Sequence, residues 1–425
     1  MTNTAELPYV DVHALRVGMV VQLDTGWLSH PFALSRFRIS SEDEISTLRA
    51  LGLGHVRWSP RDSDPVPSPT PADAKAPGDD TAAAPSTENQ RRHAALAAER
   101  EAVVVCEGQF REAIDEFDRL ETLLPGNAAA AGRRAELLTR ALIDKMVPSR
   151  ALCIRVLPDD ASPGFANHSI HVGLLALVVA RTLGWHRHDL VDIGLGGLMH
   201  DIGKLELPEP VRWPRADCGG DAHEQYMTHV ARGIAIGRRM DMPDAALCVI
   251  AEHHELADGS GFPQGLRNDG LSVGARIVAL ADRYDHLCNP VDPSQALTPH
   301  EALSQLVRRH ASQHDSTILS AFVGTLGIYP AGSAVQLTDG RYAMVTAVVK
   351  SERSVTPRVL VHDPALPSDE ALFLDLDPKA GAGIRRALRP QDLPPAARDY
   401  LRPPRRITYG VQPLARPATP WTRPA

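Results

Sequence analysis

Five separated pieces of this chain share one chemistry, and each lies in a stretch that reads as helix. They are His168, the pair His200-Asp201, His229, the pair His253-His254, and Asp282. Helix after helix runs over residues 163–328, and thirteen of the 18 histidines fall between His168 and His314, which marks this stretch as the chemical domain. Imidazole and carboxylate suit borderline-to-hard divalent metals, and no nearby Cys pattern competes. Five imidazoles and two carboxylates are more than one ion needs and match a two-metal centre. A carboxylate shared by two ions is a known device for activating water against a phosphoryl group, so the pattern implies a metal-dependent hydrolase.

The pieces differ in how sharply they point. His168 begins an amphipathic helix, and His171 one turn on competes for its role. His200 and Asp201 sit in an apolar stretch, DLVDIGLGGLMHDIGK, where neighbouring side chains diverge by about 100° on a helix. Both can ligate only if the metal lies over the helix edge. Gly196, Gly197 and Gly203 weaken that helix, which implies close packing or ligand approach there. Lys204, one turn from the pair, is placed to meet a phosphate; its plainer reading is a solvated lysine at a helix end. His223 is a local rival of His229. Adjacent histidines after an apolar helix, as at His253-His254, are rare as pure packing. Asp282 follows a strongly apolar run where an unpaired carboxylate is costly, and Asp285 is its rival.

Length and charge bound the rest. At 425 residues the chain should form two or more domains. A net charge of -7 excludes a dedicated nucleic-acid binder while allowing a small anionic substrate. Five scattered cysteines without a CxxC fit free thiols in a reducing cytosol. Neither a signal peptide nor an apolar run long enough for a bilayer is evident, so the expected location is cytoplasmic, with no membrane partner.

Composition divides the chain. Residues 1–60 read as a small α+β module, with strands near Val17–Val21 and His55–Trp58 and a helix from Ser41 to Leu51, capped by Ser41 with Glu44 three residues on. Residues 61–95 are a Pro/Ala/Ser linker too poor in apolar side chains to order itself. Residues 96–150 form two helices broken at Pro125-Gly126-Asn127, a connector or a stalk through which a homodimer can form. Residues 151–330 are the chemical domain. A small β region follows over 331–387, alternating around an Asp339-Gly340 turn, and 388–425 is a Pro/Arg-rich, partly ordered tail.

With these pieces in view, HSIHV (168–172), GLMHDIGK (197–204), HHELADGSGFPQGL (253–266) and ARIVALADRYDHL (275–287) closely resemble the HD-GYP family of cyclic di-GMP phosphodiesterases. The segment with LRVGMVV, Trp27, His30-Pro31-Phe32 and LRALGLGHVRW also resembles an uncharacterised module found ahead of such domains. The resemblance implies a mainly α, all-helical HD-type bundle with a small α+β module before it and a small β appendage behind. It implies metal ligands at His168, His200, Asp201, His229, His253, His254 and Asp282, with Asp201 bridging two iron, manganese or zinc ions. Lys204 would contact the substrate phosphate, and Gly261, Phe262 and Pro263 stand where the family has its name-giving motif. Some members hold a third metal through a Glu at the position of Gly164, so two ions and linear pGpG as product are implied here. Implied partners are cyclic di-GMP and GGDEF-type or other signalling proteins.

The chain departs from the family at three places: Phe262 replaces a tyrosine, Leu256 an arginine, and the stretch after Asp285 (HLCNPVDPSQ) has no Arg or Lys. These departures imply weak substrate affinity with the chemical step retained. They also leave open a degenerate sensor or adaptor acting through protein contacts, or a hydrolase of another nucleotide.

Overall fold

The computed structural model describes residues 7–65, 87–158, 164–213, 220–351, 354–376 and 383–414. Most of the expected linker lies outside these residues. Two compact units result, one running to Arg92 and one spanning His93–Ala418.

In the first unit, β1 (Tyr9–Asp11), β2 (Val20–Gln22), β3 (Arg36–Arg38) and β4 (His55–Ser59) form an antiparallel sheet in the order β1-β4-β2-β3. Helix α1 (Glu42–Ala50) starts at Ser41, whose hydroxyl accepts the Glu44 N–H at 3.4 Å. The return bond from Glu44 goes to the Ser40 N–H at 2.7 Å rather than to Ser41. Ile45 and Leu48 of α1 pack with Val21, Leu23 and Ile39 into one core.

The second unit opens at His93, within α2 (Thr87–Leu123), and continues into α3 (Ala128–Lys145), the latter capped by the Asn127 side chain. These helices do not stand out as a stalk. Phe117, Leu120, Leu138 and Leu142 are fully buried, and a Cβ on Gly132 would lie 1.9 Å from the Met240 carbonyl. Glu99 of α2 is buried between Arg155 and Arg358. Much of the apolar surface of these two helices is therefore buried inside the unit.

The bundle continues with α4 (Phe165–Leu183), α5 (Arg187–Met199), a 3₁₀ turn (Ile202–Glu206), α6 (Glu209–Arg212), α7 (Asp221–Arg239), α8 (Asp244–Glu252), α9 (Val273–Cys288), α10 (Pro299–Arg309) and α11 (Ser316–Leu326). Glycines let α5 reach its neighbours. A Cβ on Gly197 would lie 3.3 Å from the Gly173 Cα of α4, and one on Gly196 2.5 Å from Val249 Cβ of α8. On Gly203 it would come within 1.9 Å of the His229 carbonyl of α7. The helix-weakening glycines therefore serve close approach, and they bring the end of α5 to three other helices at once.

A seven-stranded sheet completes the unit: β5 (Leu152–Val156), β6 (Ala334–Leu337), β7 (Tyr342–Lys350), β8 (Val355–Val361), β9 (Leu372–Asp375), β10 (Ile384–Leu388) and β11 (Tyr409–Pro413). The Asp339-Gly340 hairpin is present between β6 and β7. The sheet is wider than the expected 331–387, because β5 lies between α3 and α4 and β11 comes from the tail. Residues 388–414 are accordingly built into the unit, with α12 (Pro395–Leu401) starting at prolines, which favour the first helical position. Among the described residues no helix is long and apolar enough to cross a membrane.

Candidate metal centre

His168 lies in the first turn of α4, His229 on α7 and Asp282 on α9. The two adjacent pairs are placed differently from the sequence expectation. Helix α5 ends at Met199 and α8 at Glu252, so His200-Asp201 and His253-His254 stand at helix ends rather than inside helices. Asp201 has left helical geometry, with φ −100° and ψ 4°. Ending each helix removes the divergence that would otherwise point neighbouring side chains apart. All seven residues consequently converge.

They fall into two groups able to hold an ion each: His168, His200 and Asp282, and Asp201, His229, His253 and His254. In the first, His168 Nε2 lies 3.2 Å from both His200 Nε2 and Asp282 Oδ1. In the second, His229 Nε2 lies 3.4 Å from His253 Nε2 and 3.1 Å from His254 Nε2. Asp201 faces both groups. Its Oδ2 is 3.5 Å from His168 Nε2 and 3.4 Å from His200 Nε2, while Oδ1 is 3.5 Å from His229 Nε2 and 3.7 Å from His253 Nε2.

These residues fit a metal on two counts. Metal–nitrogen bonds of about 2.0–2.1 Å place the donor atoms around one ion roughly 3.0 to 3.4 Å apart, close to the spacings seen. The ring tautomers agree as well. Nδ1 of His200, His229 and His253 contacts the carbonyls of Gly197, Tyr226 and Ile250 at 2.7, 2.6 and 2.8 Å, and Nδ1 of His168 contacts Asp285 at 2.6 Å. Carbonyls and carboxylates only accept, so each Nδ1 carries a proton and Nε2 is the nitrogen turned inward to ligate. Buried Asp201 Oδ1 has no hydrogen-bond partner among the described residues.

The rivals take supporting places. Asp285 accepts from Nδ1 of both His168 and His171 at 2.6 Å, and from Asn289 at 2.7 Å. His171 and Asp285 therefore orient His168 from behind, and His223 is exposed.

The groups differ electrostatically. Burial alone would lower His200, but the Asp201 and Asp282 carboxylates outweigh it and hold the imidazole at about 9. His168 behaves likewise, with three carboxylates raising it well above the usual range against burial. Burial pushes His229 down to about 4, and burial with the His253 neighbour pushes His254 well below its usual value. An ion entering the His229 group displaces no ring proton at neutral pH, whereas one entering the His168 group must. The raised His200 value means protonation competes below about 9, so second-ion affinity should rise with pH up to that value and then level off. First-ion affinity should be flat over pH 6–9. Metal titration of chelated protein across that range checks both, and two equally pH-sensitive sites would contradict the asymmetry.

Lys204 is not a solvated lysine. It is buried, pairs with Asp201 Oδ2 at 2.5 Å, and lies 5.0 and 5.1 Å from the Trp213 and Tyr226 ring centres. The loop after His254 folds back over that histidine, with the Phe262 N–H on the His254 carbonyl at 3.1 Å. Gly261 permits this, since a Cβ there would lie 2.5 Å from the His254 carbonyl. Phe262 stacks on His254 with centroids 4.5 Å apart, while Pro263 is exposed. Buried Glu255 accepts the N–H groups of Gln264 and Leu266 at 2.6 and 2.9 Å and so fixes the loop. The sequence reading missed Glu255, Trp213, Tyr226 and His286, the last lying 2.9 Å from Asp282 Oδ1. Only the position of Glu255 directly after the histidine pair offered a signal.

Residues 152–318 match the HD domain family, and residues 9–123 match a domain of unknown function, DUF3391. Over 369 residues, 84% of this chain and 85% of the relative, the sequence is 29% identical to a cyclic di-GMP phosphodiesterase of Pseudomonas aeruginosa. The chain thus carries an HD domain behind a DUF3391 module and is similar to proteins named as cyclic di-GMP phosphodiesterases. The matched HD region contains the His200-Asp201 pair and Phe262. A cyclic di-GMP phosphodiesterase response regulator of Xanthomonas campestris pv. campestris is 28% identical over 39% of the chain. A 3'3'-cGAMP-specific phosphodiesterase of Vibrio cholerae is also 28% identical, over 40% of it. The chain spans 43% and 37% of those two relatives' lengths.

Proposed function

We propose that this protein hydrolyses cyclic di-GMP to linear pGpG at a centre of two divalent metal ions, iron, manganese or zinc. The observation that carries the reading is Asp201, which turns one carboxylate oxygen toward each group of ligands. The relatives named as cyclic-dinucleotide phosphodiesterases support the substrate class. Bound ions would supply a water of lowered pKa and positive charge for the phosphoryl oxygens.

The chain's own residues do the remaining work. His168 and His200 with Asp282 would hold one ion; His229, His253 and His254 would hold the other, and Asp201 would serve both. Asp285 keeps His168 in the tautomer that ligates. Lys204 adds a cation beside the reacting phosphate, where transition-state charge builds up. Phe262 presents a ring face over His254. Gly164 caps α4 without a carboxylate, which supports two ions and pGpG as end product.

Purified protein with Mn²⁺ or Fe²⁺ and cyclic di-GMP, followed by chromatography, tests this. pGpG should accumulate while GMP stays minor. Intact cyclic di-GMP at millimolar concentration with both metals bound would overturn the reading. The Vibrio cholerae relative favours 3'3'-cGAMP as the alternative substrate, so it belongs in the same assay.

A further inference from the structure

We infer that the cavity beside His168 is a guanine-base subsite read by Arg406, a residue that the C-terminal segment brings in from outside the helical bundle. The inference deepens the proposed function and rests on a guanine dinucleotide being the substrate. The cavity measures about 370 Å³ and is bordered by His168 and Asp285. That is the scale of a small-molecule pocket with room for a base and its sugar. Its lining includes the rings of Phe165 and Trp213 and the apolar side chains of Pro290 and Val291. Such walls suit the flat face of a base, which stacks on aromatic rings, better than a phosphate.

Arg406 is the one Arg or Lys among the described residues lining the cavity. It is half-buried, and among the described residues no hydrogen bond or ion pair holds its guanidinium. Its backbone, by contrast, is tied down. The next residue, Ile407, exchanges both backbone groups with the Asn289 amide at 2.8 Å. Thr408 O accepts from Leu157 N at 2.8 Å, and Tyr409 opens β11 and meets the Tyr284 hydroxyl at 2.8 Å. Asn289 also donates to Asp285, which orients His168. Arg406 is therefore fixed to the frame that sets a candidate metal ligand, with its own fork left uncommitted.

That fork matches the O6 and N7 acceptors of guanine in a bidentate pair, whereas adenine offers an amino donor where O6 would be. Phe262 does not line this cavity; it stacks on His254 of the other group. The stretch after Asp285 contributes no Arg or Lys, and the C-terminal segment contributes an Arg in its place.

The test compares wild-type protein with Arg406→Ala and Arg406→Lys. It reads KM and kcat for cyclic di-GMP and for bis(p-nitrophenyl) phosphate, a diester without a base, and equilibrium-dialysis binding of GMP and AMP. Arg406→Ala should lower kcat/KM for cyclic di-GMP relative to the small diester by about tenfold or more, mainly through KM, with Arg406→Lys restoring little. Wild type should bind GMP more tightly than AMP, and Arg406→Ala should lose that preference. An unchanged ratio together with a retained preference would overturn the subsite while leaving the proposed function standing. If wild type cleaves the small diester but not cyclic di-GMP, the substrate reading fails separately. GMP and AMP then decide the subsite: equal binding by wild type overturns it, and a preference abolished by Arg406→Ala upholds it.

Discussion

Asp201→Asn is expected to cut hydrolysis of cyclic di-GMP by on the order of a thousandfold and to leave the chain with fewer bound ions. The side chain is buried, and its two oxygens address the two groups of ligands separately. Burial works against its charge, yet Lys204 and His200 outweigh that and hold the carboxyl well below the usual range, so it is ionised when an ion arrives. Asparagine keeps the shape, removes the charge that offsets two dications, and places an NH₂ where an acceptor is needed. The helices should still form, because Asp201 follows α5 and caps no helix, but the variant should be less stable, since Lys204 loses its buried partner. Circular dichroism, elemental analysis and a product assay on one preparation check this. Near-normal turnover would show that Asp201 is not shared between ions.

Lys204→Met should have the second large effect, and its size should depend on metal. The ammonium lies 2.5 Å from Asp201 Oδ2, with both side chains buried. Removing one partner of a buried ion pair typically costs about 3–5 kcal/mol, because the remaining charge is stranded. Bound ions would meet the Asp201 charge themselves, so the loss of stability should be clearly larger after chelation than before it. Turnover should fall in either case, since a cation beside the phosphate is gone. Thermal unfolding of wild type and variant, with and without chelator, separates the two roles. An equal loss of stability in both states would mean that Lys204 does not compensate Asp201.

Much of the candidate site was legible because its chemistry is local. Adjacent pairs such as His200-Asp201 and His253-His254 are conspicuous whatever the fold, and all seven expected ligands meet. Their division into two groups was not legible, because it depends on helices ending at Met199 and Glu252, where no Gly or Pro punctuates the sequence. The choice between His168 and His171, or Asp282 and Asp285, needed the third dimension, since one helical turn separates each pair. The sheet hid for another reason. β5 and β11 pair across the whole bundle, so neither short strand shows a hairpin partner nearby. The tail read as only partly ordered because of its prolines, yet Pro394 and Pro395 start a helix and the next segment delivers Arg406 to the cavity.

The claim at the centre is that seven side chains make two metal positions joined by one carboxylate. Elemental analysis of anaerobically purified protein tests it most directly, run on wild type, His168→Ala and His229→Ala. Wild type should hold two ions per chain, and each variant about one, with the other position still filled. At most one ion in wild type, unchanged in both variants, would contradict it.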